Sequence, residues 1–219
     1  MGNRTLIRNI DRPAPASKLR SPLPVRQARS RKTRDALIAA AWKLLQKHPW
    51  ELIAISDLVK VAGCSVGAFY ARFADKEALL EALASEYLEE RWKAREQAFA
   101  SLGTDADYAA YAIVSTYQHI MRHQNFWHAA LVKGAGDPHF WEPFRASGQR
   151  LVQLTVACRE HRLGRRLTGR EIQHMRFAFQ MANGAINNGI VNRPGPLLPG
   201  TSEFEAELVR GFKAVAGLE

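Results

Sequence analysis

The stretch from Val59 to Leu80 reads VKVAGCSVGAFYARFADKEALL and interrupts its helical pattern twice within 22 residues. Gly63 suits the left-handed residue that ends a helix. Ser65 and Asp75 are side chains that cap the start of a following helix. Helices this short bury too little apolar surface to be stable by themselves. The pattern therefore predicts that something other than core packing requires these helices at a fixed mutual angle.

Apolar residues recur with helical spacing along most of the remaining chain, and no segment alternates with a period of two for long enough to predict a strand. The sequence therefore predicts an all-α fold. The predicted helices run from Ser30 to the break at Pro49, over Ser56–Ala62, briefly after Ser65, from Asp75 toward Ser101, and then over Asp105–His123, Asn125–Lys133, Pro138–Arg162, Gly169–Asn192 and Ser202–Ala216.

Two helices joined by a tight glycine turn, with the second starting at a capped serine, are typical of a helix-turn-helix. The unit presents the start of its second helix to a DNA major groove. Small residues must stand there, and Val66, Gly67 and Ala68 meet that requirement. Longer donors beside them can reach phosphate oxygens. The predicted phosphate contacts are Ser65, Tyr70, Arg72 and Lys76.

Nearly all of the net positive charge lies at the N-terminus. Residues 1–34 contain ten Lys and Arg residues against Asp11 alone, which accounts for nine of the ten net charges. Four prolines and few large apolar side chains predict that residues 1–29 form a disordered basic arm. A basic arm on a nearly neutral body predicts an anionic polymer or surface as the partner.

Other function classes find little support in the sequence. There is no apolar run long enough to span a membrane and no secretory signal, so a cytoplasmic protein without a membrane partner is predicted. Cys64 and Cys158 lack a metal-ligand spacing and are predicted to be reduced thiols. His119 and His123 are four apart, but no carboxylate follows in a zinc motif, so no metal or other cofactor is predicted. No catalytic fingerprint is present, and an enzyme is not predicted.

The segment AGCSVGAFYARFADKEALL resembles the DNA-binding signature of the tetracycline-repressor (TetR) family of bacterial transcriptional regulators. The resemblance covers about residues 32–85, with matches at Gly63, Ser65, Gly67, Tyr70, Phe73, Lys76, Glu77, Leu79 and Leu80. Two departures concern DNA contact. The family usually has threonine at one or both of positions 54 and 55, where this chain has Ala54 and Ile55. Ser56 carries the nearest hydroxyl in the sequence and is the predicted phosphate contact in their place. Arg72 replaces the usual histidine with a permanent charge.

The resemblance implies a helix-turn-helix DNA-binding domain at residues 30–78 and a larger helical domain for ligand binding and dimerisation at residues 79–219. The aromatic-rich middle of the chain supplies the candidates for a pocket around a small organic ligand, although core packing is the alternative. These candidates are Tyr111, His119, Phe126, Trp127, Phe144 and Asn183. The last two helices supply the candidates for the apolar dimer seam or the core beneath it, which are Phe179, Ala182, Ile186, Leu208, Phe212 and Val215.

Together these features predict a homodimeric transcriptional regulator that binds a palindromic operator in double-stranded DNA. The predicted mode is a repressor released by the small organic ligand. Two alternatives from other classes remain at this point. One is an architectural protein that binds DNA regardless of sequence, which the basic arm would suit. The other is an enzyme with an incidental helix-turn-helix.

Overall fold

A computed structural model describes residues 25–101 and 107–218, with side chains from Ser30 onward. Within these ranges the chain forms helices and connecting turns and has no strand, which confirms the predicted all-α fold. No helix in the described ranges combines the length and apolar character needed to cross a membrane. The helices are α1 (Val25–Leu45), a 3₁₀ turn (Trp50–Leu52), α2 (Ile55–Ala62), α3 (Val66–Tyr70), α4 (Lys76–Ser101), α5 (Tyr108–Arg122), α6 (Gln124–Gly136), α7 (Glu142–Leu163), α8 (Gly169–Val191) and α9 (Ser202–Ala216).

Two predicted boundaries are wrong. Helix α1 begins at Val25, so residues 25–29 of the predicted disordered arm are helical, and residues 1–24 lie outside the described part of the chain. Helix α7 begins at Glu142 and not at Pro138. The carboxylate of Asp137 accepts hydrogen bonds from the backbone N–H groups of His139 and Phe140. These bonds hold a turn where the sequence pattern predicted a helix.

The described part of the chain divides into two compact units, of which the smaller contains residues 25–89 and 125–140. In this unit α1, α2 and α3 pack against one another. Their core is formed by fully buried side chains such as Leu37, Leu58 and Phe69. Helix α6 is attached to α1 by the side-chain amide of Asn125, which donates to the backbone oxygen of Leu45 at 2.8 Å.

The larger unit contains residues 90–101, 107–124 and 141–218. Here α8 packs against α9, and α5 packs against α7, α8 and α9. Thr168 and Glu171 form a reciprocal capping box at the start of α8, and Thr201 caps α9. Helix α4 contributes residues to both units, since residue 89 ends one segment and residue 90 begins the next. The domain limits at residues 29 and 78 stay predictions.

Candidate nucleic-acid interface and other predicted sites

The turn between α2 and α3 is built by Gly63 and Ser65. Gly63 ends α2 in the left-handed conformation, with φ 65° and ψ 38°, and the N–H of Cys64 donates to the oxygen of Val59 at 3.0 Å. The Oγ of Ser65 accepts the N–H of Ala68 at 3.1 Å and so caps α3. A capping hydroxyl still carries its own proton. Ser65 can therefore cap α3 and donate to an outside acceptor at the same time.

The outer surface of α3 presents small groups and one aromatic ring. Val66 is 47% exposed and Tyr70 is 55% exposed. A Cβ atom on Gly67 would meet nothing within 4 Å except the Oγ of Ser65 at 3.9 Å. The fold itself therefore does not require glycine at this position. Ala68 is half-buried, so its side chain lies at the edge of this surface.

Two phenylalanines anchor α3 from below. Phe69 is fully buried, and Phe73 retains only 5% of its accessible surface. Their ring centroids are 5.7 Å apart, and the guanidinium carbon of Arg34 lies 5.9 Å from the Phe73 ring centroid. Tyr70 meets Phe69 edge-to-face at 5.4 Å. These contacts fix the rotation of α3 and leave its Val66–Gly67 end exposed.

Arg72 lies just beyond the end of α3 and is half-buried. One terminal nitrogen, Nη1, donates to the backbone oxygen of Ala68 at 3.0 Å. A guanidinium carries five N–H donors, so this single bond leaves donors that can reach an oxyanion. The bond to Ala68 thus orients Arg72 along α3, and the remaining N–H donors of its guanidinium can still bind a phosphate.

Lys76 does not have the surroundings of the predicted phosphate contact. Its Nζ donates to the backbone oxygens of Trp50 at 2.7 Å and Ile53 at 2.8 Å, and it lies 4.7 Å from the centroid of the Trp50 ring. Burial lowers the pKa of this ammonium group. Lys76 thus braces the start of α4 against the turn before α2, and its predicted phosphate contact stays a prediction. Both acceptors are more than 20 residues away in sequence, so no local pattern marked this contact.

The start of α2 is capped from inside the helix. The N–H of Ala54 donates to the Oδ2 of Asp57 at 3.0 Å. Ser56 is exposed in the first turn of α2. Asp57 thus caps α2 in the absence of a threonine at positions 54 and 55, and the predicted phosphate contact of Ser56 stays a prediction.

The six predicted pocket residues lie in both units of the described chain, and most of them pack against other aromatic side chains. Phe126 and Trp127 are buried in the smaller unit, where the ring of Tyr87 lies 4.9 Å and 5.6 Å from theirs. In the larger unit, Tyr111 meets Phe99 edge-to-face, Phe144 stacks on Trp141, and Asn183 donates to the oxygen of Phe179. Mutual packing of aromatic side chains, the alternative kept open above, explains most of this set.

Two clefts in the described part of the chain lie in the larger unit. The first has a volume of about 720 Å³ and is lined by Tyr117, Gln118, Met121, Arg122, Gly200, Thr201, Ser202, Glu205, Ala206 and Val209. The hydroxyl of Tyr117 accepts the N–H of Gly200 at 2.7 Å and shapes one wall. The second has a volume of about 460 Å³ and is lined by Asp107, Arg159, Arg162, Leu163, Lys213, Gly217 and Leu218. None of the six predicted pocket residues lines either cleft.

The candidates for the dimer seam form the core between α8 and α9. Ile186 is fully buried, and Phe179 meets Phe212 edge-to-face at 4.9 Å. Ala182 and Leu208 are also buried, and Val215 is half-buried. The opposite side of α8 is exposed and carries an outer stripe that we define as His174, Phe177, Met181, Gly184, Ala185, Asn188 and Val191. The sequence analysis gave the six seam candidates two possible places, the seam or the core beneath it, and in this structure they lie in the core between α8 and α9.

One cluster has the chemistry of a metal site, although the sequence predicted none. One ligand atom each from Glu90, His119 and His123 lie within 4.8 Å of one another. Burial, and next the positive charge of Arg91, lower the pKa of His119 to about 3. Burial also lowers the pKa of His123. Both shifts favour the neutral imidazole, which is the form that offers a lone pair to a metal.

Comparison with known proteins gives two results. The family model of bacterial regulatory proteins, tetR family, matches residues 37–83, which include the whole of α2, the turn and α3. A similar relative is the HTH-type transcriptional repressor ComR of Escherichia coli (strain K12), which is 35% identical over 65 residues. That match covers 30% of this chain and 30% of ComR.

Proposed function

The chain belongs to the tetR family of bacterial regulatory proteins, as its signature predicted, and from this premise we propose that it is a sequence-specific DNA-binding regulator that acts as a homodimer. The carrying observation is the exposed start of α3, where Val66 and Gly67 project from a helix whose rotation is fixed from below. In this proposal the protein acts by binding rather than by catalysis, and it works in the bacterial cytoplasm, where its DNA partner lies.

In the proposed complex α3 enters the major groove at its Val66 end. The methyl groups of Val66 and Ala68 suit contact with thymine methyl groups, and the bare backbone of Gly67 allows close approach to a base edge. Ser65, Tyr70 and Arg72 bind phosphates on either side, and Ser56 approaches a phosphate from the start of α2. Lys76 braces the start of α4 against the turn before α2. The basic arm at residues 1–29 adds sequence-independent attraction.

The proposed dimer uses the outer stripe of α8. Phe177 is 54% exposed, Met181 is 41% exposed and Val191 is 46% exposed. Apart from His174 the stripe has no titratable side chain, and a Cβ on Gly184 would meet nothing within 4 Å. Such a surface suits the α8 helix of a second copy at close range. Two copies related by a two-fold axis would read half-sites about one DNA turn, or a multiple of it, apart.

We further propose that the regulator is a repressor that a small organic ligand releases from DNA. The first cleft, about 720 Å³, replaces the predicted aromatic pocket as the candidate site because its volume lies in the range of ligand pockets. Gln118, Arg122 and Glu205 give it polar groups of both charges. A ligand there acts only through a difference in its affinity for the DNA-binding and released conformers.

The test is selection of bound sequences from random DNA with the full chain, followed by titrations on the selected site and on a scrambled copy at several salt concentrations. We expect an enriched palindrome and a preference for it that persists as salt rises, whereas binding to scrambled DNA falls steeply. If no sequence is enriched and the affinities for the selected and scrambled DNA fall equally as salt rises, the protein is the architectural DNA binder, and the proposal fails.

A further inference from the structure

Three side chains with metal-ligand chemistry meet between α4 and α5 of the larger unit. His119 and His123 lie one turn apart on α5 with ring centroids 4.8 Å apart. The Oε1 of Glu90, on α4, is 4.0 Å from the Nε2 of His123. We propose that Glu90, His119 and His123 bind a divalent transition metal ion of the Zn²⁺ class.

The ligand set defines the class of metal. Two imidazole nitrogens and one carboxylate oxygen suit Zn²⁺ and its borderline neighbours, whereas Mg²⁺ and Ca²⁺ prefer oxygen ligands alone. Three protein ligands leave a fourth position for water or an outside ligand. With metal bonds of about 2 Å, tetrahedral ligand atoms lie about 3.3 Å apart. The cluster, which spans at most 4.8 Å, must therefore contract by roughly 1.5 Å at its widest.

The side chains that must move are the ones with room to do so. The Glu90 side chain is 56% exposed, and that of His123 is 17% exposed. His119 is 6% exposed and provides the fixed wall of the site. An ion can therefore enter past Glu90 and draw the carboxylate inward without disturbing the core.

Hydrogen bonds between α4 and α5 hold the two helices together at this level. Arg91 donates from Nη2 to the Oγ1 of Thr116 at 3.1 Å, and Arg95 donates to the same oxygen at 2.6 Å. Because Arg91 follows Glu90 directly, these bonds fix the backbone that carries the carboxylate. The two helices are thus held together before the ion binds, so only side chains have to move, which limits the entropy lost on binding.

Positive charge near the site opposes the ion. The guanidinium groups of Arg91, Arg95 and Arg122 all act on His119. The Glu90 carboxylate offsets only one of these charges. The affinity should be lower than that of a thiolate zinc site, where the ligands themselves carry the charge.

The experiment is a calorimetric titration of the full chain with Zn²⁺, paired with a Co²⁺ titration followed by visible absorption. We expect one equivalent to bind and Co²⁺ to give the absorption bands of a low-coordinate site. Glu90→Gln and His123→Ala should each weaken binding at least tenfold, because each removes one of three ligands. Glu90→Cys should instead retain the ion and add a thiolate-to-Co²⁺ charge-transfer band.

His161→Ala is the matched control, since His161 is exposed near the end of α7 and belongs to no metal-ligand cluster among the described residues. It should bind Zn²⁺ like the unaltered chain. Glu90 is exposed, so Glu90→Gln is expected to fold, and circular dichroism of each variant verifies this. If the unaltered chain and Glu90→Gln titrate identically, the ion binds scattered histidines and the proposed site is refuted. The titration uses no DNA, so its outcome is separate from that of the proposed regulator.

Discussion

The exposed start of α3 and the outer stripe of α8 both carry apolar side chains, and the two surfaces differ in what surrounds them. On α3, Val66 and Tyr70 are exposed. Arg72 follows Tyr70 by two residues and donates to the backbone of α3, and Arg34 of α1 lies over the ring of Phe73. On α8, the outer stripe around Phe177 and Met181 runs for several turns with no Lys, Arg, Asp or Glu in it. The first surface is short and bordered by cations, and the second is long and uncharged.

The difference shows why exposed apolar area alone does not identify a partner. A DNA partner binds cations through its phosphates and admits a small apolar surface into its groove. An interface with a second copy of the protein instead requires a continuous apolar surface with few charges at its centre. The two surfaces should therefore fail in different assays when altered, and each prediction below tests that separation.

The largest effect is expected from a charge placed on the outer stripe. Phe177→Arg should give monomers, because the dimer would bury an unpaired cation at its seam. Operator binding should fall at least 100-fold once the two half-sites are no longer bound by one linked dimer. Light scattering measures the assembly, and a gel-shift titration measures the DNA affinity.

Val132→Arg is the control for this change, because Val132 on α6 is also 54% exposed but lies outside the stripe. It should remain dimeric. A dimer of unchanged strength in Phe177→Arg would place the seam elsewhere. Ile186 is one of the seam candidates from the sequence, but Ile186→Arg would be a poor test because Ile186 is fully buried and the change would disturb the core.

This contrast also explains which parts of the structure could be predicted. Around α3 each role depends on neighbours within a few residues, such as Gly63 at a helix end and Ser65 as a cap. Those roles could be assigned from the sequence. The outward face of α8 depends on where α9 packs, so the sequence could not decide whether Ile186 lies on the seam or in the core. Likewise, Glu90 joins His119 and His123 only through packing of separate helices.

The second-largest effect is expected at Gly67. Gly67→Leu should reduce operator affinity about 100-fold, because the side chain would hold α3 out of the groove and lose base contacts worth roughly 1–3 kcal/mol each. Binding to scrambled DNA should stay nearly unchanged. The protein should remain folded and dimeric, since a Cβ here meets open space.

Gly148→Leu is a matched control, because Gly148 is an exposed helical glycine of α7 and a Cβ on it would meet nothing within 4 Å. Both changes introduce the same residue into a helix, so thermal melting should report similar small shifts. If Gly67→Leu keeps its operator preference, the groove is entered by a different face of the molecule.

Smaller effects are expected at Arg72 and Lys76, and they should differ in kind. Substitution of Arg72 should weaken DNA binding, whereas substitution of Lys76 should lower the stability of the fold. Arg72→Ala should weaken operator and scrambled DNA alike, about tenfold, and lower the slope of log K against log salt by about one unit. Lys76→Met should leave that slope unchanged, because its ammonium group is bound to two backbone oxygens. It should instead lower the free energy of unfolding by about 1–3 kcal/mol through the lost bonds to a charged donor.

Urea unfolding and salt-dependent titrations of both variants make the comparison. A reduced salt slope in Lys76→Met would restore the phosphate contact predicted from the sequence and would show that Lys76 leaves its carbonyl partners when DNA binds. A normal slope in Arg72→Ala would remove Arg72 from the interface.

The smallest effect is expected from Tyr70→Phe. The Tyr70 ring keeps its edge-to-face contact with Phe69, so the helix retains its rotation and the fold keeps its stability. Only the hydroxyl is lost, and a hydrogen bond to a phosphate contributes about 1.5–3 kcal/mol at most. Exposure of the ring lets water replace part of that bond, so we expect a loss of less than tenfold on operator and scrambled DNA alike. Tyr70→Ala removes the ring as well and should lower both DNA affinity and thermal stability. If Tyr70→Phe binds like the unaltered chain while Tyr70→Ala is destabilised, the ring only supports α3, and the cationic border of this surface consists of the arginines alone.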